Sequence, residues 1–213
     1  MVSAVVFDMG GVLIRFEHPV LIREAGITDP EGIKLLTEEV LNSVEWVRTD
    51  RGTLTREEAL ENMKKRLPER LHEPASFLVN RWHENLHPME GMAELIREIK
   101  ALGYPIYLLS NAGTNQKDYW PKIPGSECFD GRVVSAEVGL LKPQPEIYQL
   151  LYRKYRLLPE RCFFIDDYAS NLEGALLTDM PGFIFRGDVT KLRAALIEAG
   201  VSVRPRGEEV APA

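Results

Sequence analysis

A short apolar run near the start of the chain ends on an aspartate and is followed at once by glycines. Residues 4–7 (AVVF) precede Asp8, and Gly10 and Gly11 come after Met9. Val and Phe suit a strand that is covered on both faces, and glycine lets the backbone turn sharply beside a ligand. Open α/β sheets bind ligands outside the carboxyl ends of their strands. The run therefore predicts a buried strand with Asp8 at its functional end, although an aspartate that only begins a turn gives the same local pattern.

A second run of the same kind lies far downstream. Residues 162–165 (CFFI) lead into Asp166 and Asp167, and Asn171 follows a few residues later. Two adjacent carboxylates at the end of a buried strand repel each other and are costly to remove from water, so a cation between them and Asp8 would stabilise them. Oxygen-only ligands of this kind suit Mg²⁺ rather than zinc. We therefore expect the fold to assemble Asp8, Asp166 and Asp167 around Mg²⁺.

Composition limits the partners and the compartment. The chain has 213 residues and a net charge of −6, so it lacks the basic field that binds nucleic acid or an anionic membrane. Asp8 interrupts the N-terminal apolar run, which predicts no signal peptide, and no apolar run has the length of a membrane span. Cys128 and Cys162 lack a metal-binding spacing, which is typical of reduced, inert thiols. We expect a cytoplasmic monomer or weak homodimer with no nucleic-acid or membrane partner.

Residues 15–88 carry helix signals and no strand pattern. Thr55 and Glu58 form a capping box that opens a helix running to about Arg66. Pro74 can begin a further helix, and residues 30–47 carry one amphipathic pattern. This part of the chain is therefore predicted to be a small all-helical cap domain.

From Pro88 onward, helix and strand patterns alternate. The expected strands cover 105–109, 162–165 and 183–185, with helices between them. This alternation predicts the α/β class, with a doubly wound parallel sheet. We assign residues 1–14 and 89–203 to the core, residues 15–88 to the cap, and the polar, Pro-rich residues 204–213 to a flexible tail.

Four segments stand in order along the chain: FDMGGVL, LLSNAG, GLLKPQPEIY and FFIDDYASNLEGA. They resemble motifs one to four of the haloacid dehalogenase superfamily, in its phosphatase branch, and the resemblance covers nearly the whole chain. It is closest to the bacterial sugar-1-phosphate phosphatases and to the phosphatase domain of soluble epoxide hydrolases. The resemblance implies a Rossmann-like core with a helical cap inserted between motifs one and two.

The resemblance also implies a role for each motif residue. Asp8 would be the nucleophile that forms an aspartyl-phosphate. The Asp8 carboxylate, the Gly10 carbonyl and Asp167 would hold Mg²⁺, with Asp166 next to them orienting Lys142 or a metal-bound water. Ser110 and the backbone N–H of Asn111 would donate to the phosphoryl oxygens, and Lys142 would add a positive charge at the same group.

The chain departs from the family pattern at Gly10. Phosphatases of this family usually carry there a second aspartate that acts as the general acid, and losing such an acid costs about 10²–10⁴-fold in rate. An anomeric leaving group needs less protonation than an ordinary alkoxide, so the departure favours a sugar 1-phosphate. If the cap supplies a proton instead, Glu45 is the first candidate. Together with Arg48 and Arg51, it is one of the polar cap residues that we expect to face the substrate.

The function that these observations predict is Mg²⁺-dependent hydrolysis of a small phosphorylated metabolite, in particular a sugar phosphate. Tyr119 and Trp120 follow motif two and could line the entrance of the site or pack in the core. The alternatives are a haloalkanoate dehalogenase, a phosphonatase and a binding module that retains the site without turnover. A dehalogenase has no use for Mg²⁺. A phosphonatase uses a cap lysine, but Lys64 and Lys65 look like an exposed helix face.

Overall fold

The computed structural model describes residues 1–205, so residues 206–213 of the predicted tail lie outside the described residues. Five parallel strands form one sheet in the order β3-β2-β1-β4-β5. The strands are β1 (Ala4–Phe7), β2 (Ile106–Ser110), β3 (Gly131–Val134), β4 (Cys162–Asp166) and β5 (Gly182–Ile184). The strand from the first apolar run, β1, is thus the central one. Its neighbours are β2, which leads into Asn111, and β4, which leads into Asp167.

The alternation of side chains along β1 explains why the sheet is covered on both faces. Val5 and Phe7 belong to one buried cluster, and Ala4 and Val6 belong to the other. Helices α6 (Met92–Ala101) and α11 (Val189–Glu198) contribute to the first cluster. Helices α9 (Pro145–Tyr155) and α10 (Ala169–Leu176) contribute to the second. Two short helices, α7 (Gln116–Tyr119) and α8 (Ser135–Val138), follow β2 and β3. The predicted α/β class with a doubly wound parallel sheet is confirmed.

Helices fill the chain between β1 and α6, in the interval that the sequence assigns to the cap. They are α1 (His18–Glu24), α2 (Pro30–Leu36), α3 (Val44–Asp50), α4 (Arg56–Lys64) and α5 (His72–Asn80). The predicted capping box is present: Thr55 accepts a hydrogen bond from the Glu58 N–H, and the Glu58 carboxylate accepts one from the Thr55 N–H. We keep the name cap for residues 15–88.

The structure differs from the sequence-based prediction at three elements. The single amphipathic pattern over 30–47 is divided into α2, a π-helical turn at Thr37–Leu41, and α3, because Ser43 caps a new helix. The helix expected from Pro74 begins two residues earlier, at His72. Strand β3 was not predicted, because its four residues include a glycine and an arginine and offer no clear alternation.

Within residues 1–205, the helices are all too short or too polar to cross a membrane.

Candidate active site

Three strand ends meet at one edge of the sheet. Phe7, the last residue of β1, pairs with Leu108 of β2 and with Ile165 of β4. The register therefore delivers Asp8, Ser110 and Asp166 to the same edge, as parallel strands require. All three side chains are buried. The sequence-based prediction that the fold assembles these residues at one place agrees with the geometry.

A buried ammonium group lies between two of the carboxylates. Lys142 Nζ is 2.8 Å from Asp8 Oδ1 and 2.6 Å from Asp166 Oδ2. Burial opposes the charge of Lys142, but the two carboxylates outweigh it and raise the lysine pKa. Burial also raises the pKa of Asp8, and Lys142 offsets only part of that rise. Lys142 is therefore a fixed positive charge beside Asp8.

The loop that carries Lys142 is held in place by Asn111. The Asn111 side chain accepts from the Lys142 backbone N–H at 2.8 Å and donates to the Lys142 carbonyl at 3.0 Å. The end of β2 thus fixes the backbone from which the Lys142 side chain reaches Asp8. The side chain of Asn111 is a positioning group, which leaves its backbone N–H as the group proposed to donate to a ligand.

The two adjacent carboxylates after β4 have different surroundings. Asp166 accepts hydrogen bonds from the Tyr168 N–H and from Asn171 Nδ2, in addition to Lys142. Asp167 Oδ1 is buried and has no hydrogen-bond partner among the described residues. Burial, reinforced by the charge of Asp166, raises the pKa of Asp167 to about 6. Asp166 is therefore a satisfied structural carboxylate, whereas Asp167 has an oxygen that lacks a partner.

These residues fit a divalent cation. Carboxylate oxygens of Asp8, Asp166 and Asp167 all lie within 4.8 Å of one another. One ammonium cannot neutralise three carboxylates, and the unpartnered Asp167 oxygen is the kind of atom that a metal satisfies. Asp8, Asp167 and the Gly10 carbonyl are the groups that would hold Mg²⁺, with Asp166 supporting them through Lys142.

Gly10 and Gly11 have different roles in the turn after β1. Gly11 has a φ of +71°, and a Cβ placed there would lie 2.2 Å from Asp167 Oδ2. At Gly10, φ is not positive, and a Cβ would meet nothing closer than Phe16 Cβ at 3.6 Å. Gly11 is therefore required for the close approach of Asp167, whereas the position that lacks the family's aspartate has room for a side chain.

A cavity of about 450 Å³ lies between the cap and this edge of the sheet. On the core side it reaches Gly10 and Asn111, which adjoin Asp8 and Lys142. Most of its other lining comes from α3, α4, the segment between them, and residues 112–119. The cavity thus adjoins the site residues through Gly10 and Asn111, and its other walls come largely from the cap.

A carboxyl group from the cap, that of Asp50, lies in this cavity. Trp46 lies one helical turn before Asp50 on α3, and a Cβ placed at Gly113 would lie 4.0 Å from Asp50 Oδ1. Burial raises the pKa of Asp50 to about 7, and the charge of Asp8 contributes to the rise. The sequence analysis missed Asp50, because its polar position at the end of a helix resembles an ordinary solvated residue.

The cap residues that the sequence analysis favoured lie elsewhere. Glu45 forms a double hydrogen bond with Arg66 at 2.9 Å, which lowers the pKa of Glu45 and makes it a poor proton donor. Arg48 lies 3.5 Å from the carbonyl of Thr53. Among the described residues, the cavity lining includes neither Glu45, Arg48 nor Arg51. A substrate contact from Arg48 accordingly has no support in this arrangement.

Of the two aromatic residues after motif two, only one reaches the cavity in the described part of the chain. Tyr119 is buried and lines it. Trp120 instead packs edge-on against Phe129, with ring centroids 5.0 Å apart. Tyr119 therefore lines the cavity, whereas Trp120 has a packing role.

Comparison with known proteins gives a family match and several relatives. The model of the haloacid dehalogenase-like hydrolase family matches residues 2–176. The chain is 25% identical over 184 residues to the sesquiterpene phosphatase astK of Aspergillus oryzae, covering 84% of this chain and 88% of that protein. It is 27% identical over 217 residues to the phosphorylated carbohydrates phosphatase of Thermotoga maritima, covering 98% and 96% of the two chains.

Two further matches bear on the fold and on the alternatives. The (S)-2-haloacid dehalogenase 2 of a Pseudomonas species is 23% identical over 183 residues, covering 82% of this chain and 79% of that protein. The solved structure of a HAD family enzyme from Bacteroides thetaiotaomicron, in complex with magnesium and inorganic phosphate, matches with a TM-score of 0.71 at 20% identity. That match covers 90% of this chain and 99% of the other. The resemblance found in the four motifs is thereby confirmed.

The different surroundings of the two carboxylates predict different effects on metal binding. Asp167→Ala removes the unpartnered oxygen and should weaken Mg²⁺ binding at least tenfold more than Asp166→Ala, as measured by calorimetry at pH 7.5. Because Mg²⁺ binds the ionised carboxylate, wild-type affinity should rise as pH increases through about 6, the pKa of Asp167. A larger loss in Asp166→Ala, with its fold intact by circular dichroism, would reverse the assignment.

The two glycines predict a matched pair of stability effects. Gly11→Ala should lower the free energy of unfolding by about 1–2 kcal/mol or more, because of the positive φ and the contact with Asp167. Gly10→Ala should leave stability unchanged or raise it by about 0.4–1 kcal/mol. Urea unfolding of the two variants measures both effects, and equal losses would contradict the different roles assigned to the glycines.

Proposed function

Because the chain belongs to the haloacid dehalogenase-like hydrolase family, we propose that it is a Mg²⁺-dependent phosphatase acting on a small phosphorylated metabolite through an aspartyl-phosphate on Asp8. The observation that carries the proposal is Lys142 Nζ at 2.8 Å from Asp8 Oδ1, beside the unpartnered oxygen of Asp167. In this proposal the Asp8 carboxylate is the nucleophile, and the ammonium beside it attracts the phosphoryl group.

The proposed first step is an in-line displacement at phosphorus. An oxygen of the Asp8 carboxylate forms a bond to phosphorus while the bond to the leaving oxygen breaks. Lys142 and the Asn111 N–H, with the Ser110 hydroxyl, stabilise the negative charge on the other phosphoryl oxygens. Bound Mg²⁺ would supply further neutralisation of that charge. In the second step, the oxygen of water forms a bond to phosphorus while the bond between phosphorus and the Asp8 oxygen breaks, which regenerates the Asp8 carboxylate and releases inorganic phosphate.

Asp50 is the proposed source of the proton that Gly10 cannot supply. In the first step its carboxyl group gives a proton to the leaving oxygen, and in the second its carboxylate takes a proton from the attacking water. The arrangement that supports this role is a cap carboxyl group in the same cavity as Gly10, with a pKa that burial raises to about 7. With Asp50 present, the missing aspartate at position 10 no longer by itself favours an anomeric phosphate.

The names of the relatives point to two substrate classes. One is a phosphorylated carbohydrates phosphatase, in line with the sugar phosphate that the sequence analysis predicts, and another is a sesquiterpene phosphatase. A dehalogenase is also among the relatives. The common proposal is hydrolysis of a phosphate monoester, and the dehalogenase reaction is the competing outcome.

The first test of the proposal uses an activated aryl phosphate. Wild-type protein should hydrolyse 4-nitrophenyl phosphate only with Mg²⁺, and EDTA should abolish the reaction. Asp8→Asn should remove turnover by at least 10³-fold while circular dichroism and the melting temperature show an intact fold. Chloride release from 2-chloropropionate is measured in parallel. Full activity of Asp8→Asn would disprove the nucleophile assignment, and halide release without phosphatase activity would establish the competing reaction.

The role of Asp50 predicts an effect that depends on the leaving group. Asp50→Asn should lower kcat/KM about 10²–10⁴-fold for alkyl phosphates, whose alkoxides need a proton, but less than tenfold for 4-nitrophenyl phosphate. Asp50→Asn with Gly10→Asp should recover part of the alkyl activity, because position 10 has room for a side chain. Equal losses on both substrates would show that Asp50 acts in structure or binding and not as the acid.

A further inference from the structure

Much of the cavity lining is apolar, and four of the described side chains in it are aromatic. Its large apolar side chains are contributed by separate parts of the chain: Met9, Phe16, Trp46, Met63, Val79, Trp82 and Tyr119. Phe16 and Trp82 meet edge-on with ring centroids 5.0 Å apart, and Trp82 meets Tyr119 at 5.2 Å. These rings form a continuous wall that links the turn after β1, the end of the cap and the segment after β2.

The polar side chains of the lining are mostly found where solvent reaches them. Thr53, Thr55, Glu57, Glu58 and Thr114 are exposed. The Glu58 carboxylate accepts from the Thr55 N–H, and the Thr49 hydroxyl donates to the carbonyl of Trp46. These exposed side chains therefore form a polar rim, which the half-buried Arg56 continues inward, while the rings and aliphatic groups contribute most of the remaining lining.

A second group of polar atoms lies at the phosphate end. Asn115 and Asp50 both approach Gly113, in the loop that follows Ser110 and Asn111. A sugar placed in the cavity would bury several hydroxyl groups against aromatic and aliphatic surface, and each unpaired hydroxyl is costly to desolvate. A hydrocarbon group there would gain from burial against the same surface.

We infer that the substrate is a phosphate monoester whose organic part is apolar, an alkyl, prenyl or aryl group of several carbons that lies against the Phe16–Trp82–Tyr119 wall. This inference rests on the proposed phosphatase function and names the substrate class of the same site. The cavity of about 450 Å³ has the size of sites that enclose small organic ligands. It holds far more than a phosphate group, so most of its volume is left for the organic part.

The decisive measurement is kcat/KM for ethyl, butyl and octyl phosphate, compared with glucose 1-phosphate. The three alkoxides have similar basicity, so a change along the series reports binding of the chain. The value should rise at least 100-fold from ethyl to octyl, and octyl phosphate should exceed glucose 1-phosphate at least tenfold despite the poorer leaving group. A flat alkyl series, or a preference for glucose 1-phosphate, would overturn the inference.

A matched pair of substitutions locates the effect. Val79 lines the cavity and is buried, whereas Val44 is exposed on α3 outside the lining. Val79→Phe should lower kcat/KM for octyl phosphate at least tenfold more than that for ethyl phosphate, and Val44→Phe should leave both within twofold. Equal effects of the two substitutions would show that the chain binds elsewhere. If Val79→Phe does not fold, Val79→Ala takes its place and should alter the octyl-to-ethyl ratio by at least threefold.

Binding without turnover separates this inference from the phosphatase proposal. Octylphosphonate, which cannot be hydrolysed, is titrated into wild-type protein with Mg²⁺ while tryptophan fluorescence is recorded, because Trp46 and Trp82 line the cavity. It should bind at least tenfold more tightly than ethylphosphonate even if no phosphate ester is turned over, in which case only the reaction assignment fails. Equal affinities would refute the apolar substrate class, whatever the reaction.

Discussion

The ammonium group of Lys142 holds two buried carboxylates together at the end of the central strands. Its distances of 2.8 and 2.6 Å to Asp8 and Asp166 join β1, β4 and the loop after α8 at one point. Removing one partner of such a buried group typically costs about 3–5 kcal/mol, because the remaining charge loses its compensation. With Asp167 adjacent, the cluster stays negative as a whole. This excess negative charge is what makes the site suited to a cation.

The sequence was sufficient for the parts of the site that lie at strand ends. A short apolar run followed by a polar residue locates Asp8, Ser110 and Asp166 without knowledge of the pairing, since all parallel strands end on the same edge. The roles of Gly10 and Gly11 could not be separated in this way. Which of two adjacent glycines has the positive φ depends on the approach of Asp167, a contact across most of the chain length.

The cap residues that face the cavity were harder to predict from the sequence, for a geometric reason. Glu45 and Asp50 are five residues apart on α3, which places them roughly 140° apart around the helix axis. An amphipathic pattern does not say which of two polar directions faces a cavity, and only the pairing of Glu45 with Arg66 settles it. The aromatic wall was equally hidden, because its members stand in separate segments. Neither Phe16 nor Trp82 has a motif around it that would predict a ligand contact.

One buried hydroxyl, that of Ser135, joins the cap to the core beside the cavity. Ser135 Oγ donates to the Asp50 carbonyl at 2.5 Å and accepts from the Ala112 N–H at 2.9 Å. It thereby fastens the last turn of α3 to the core, where Gly52 also lies against the backbone of Ala136. The carbonyl that accepts from Ser135 and the carboxyl group proposed as the proton donor belong to the same residue, Asp50. Any displacement of this turn of α3 from the core would therefore also move the proposed acid relative to Gly10, so the same contact that joins cap to core also sets where the proton is available.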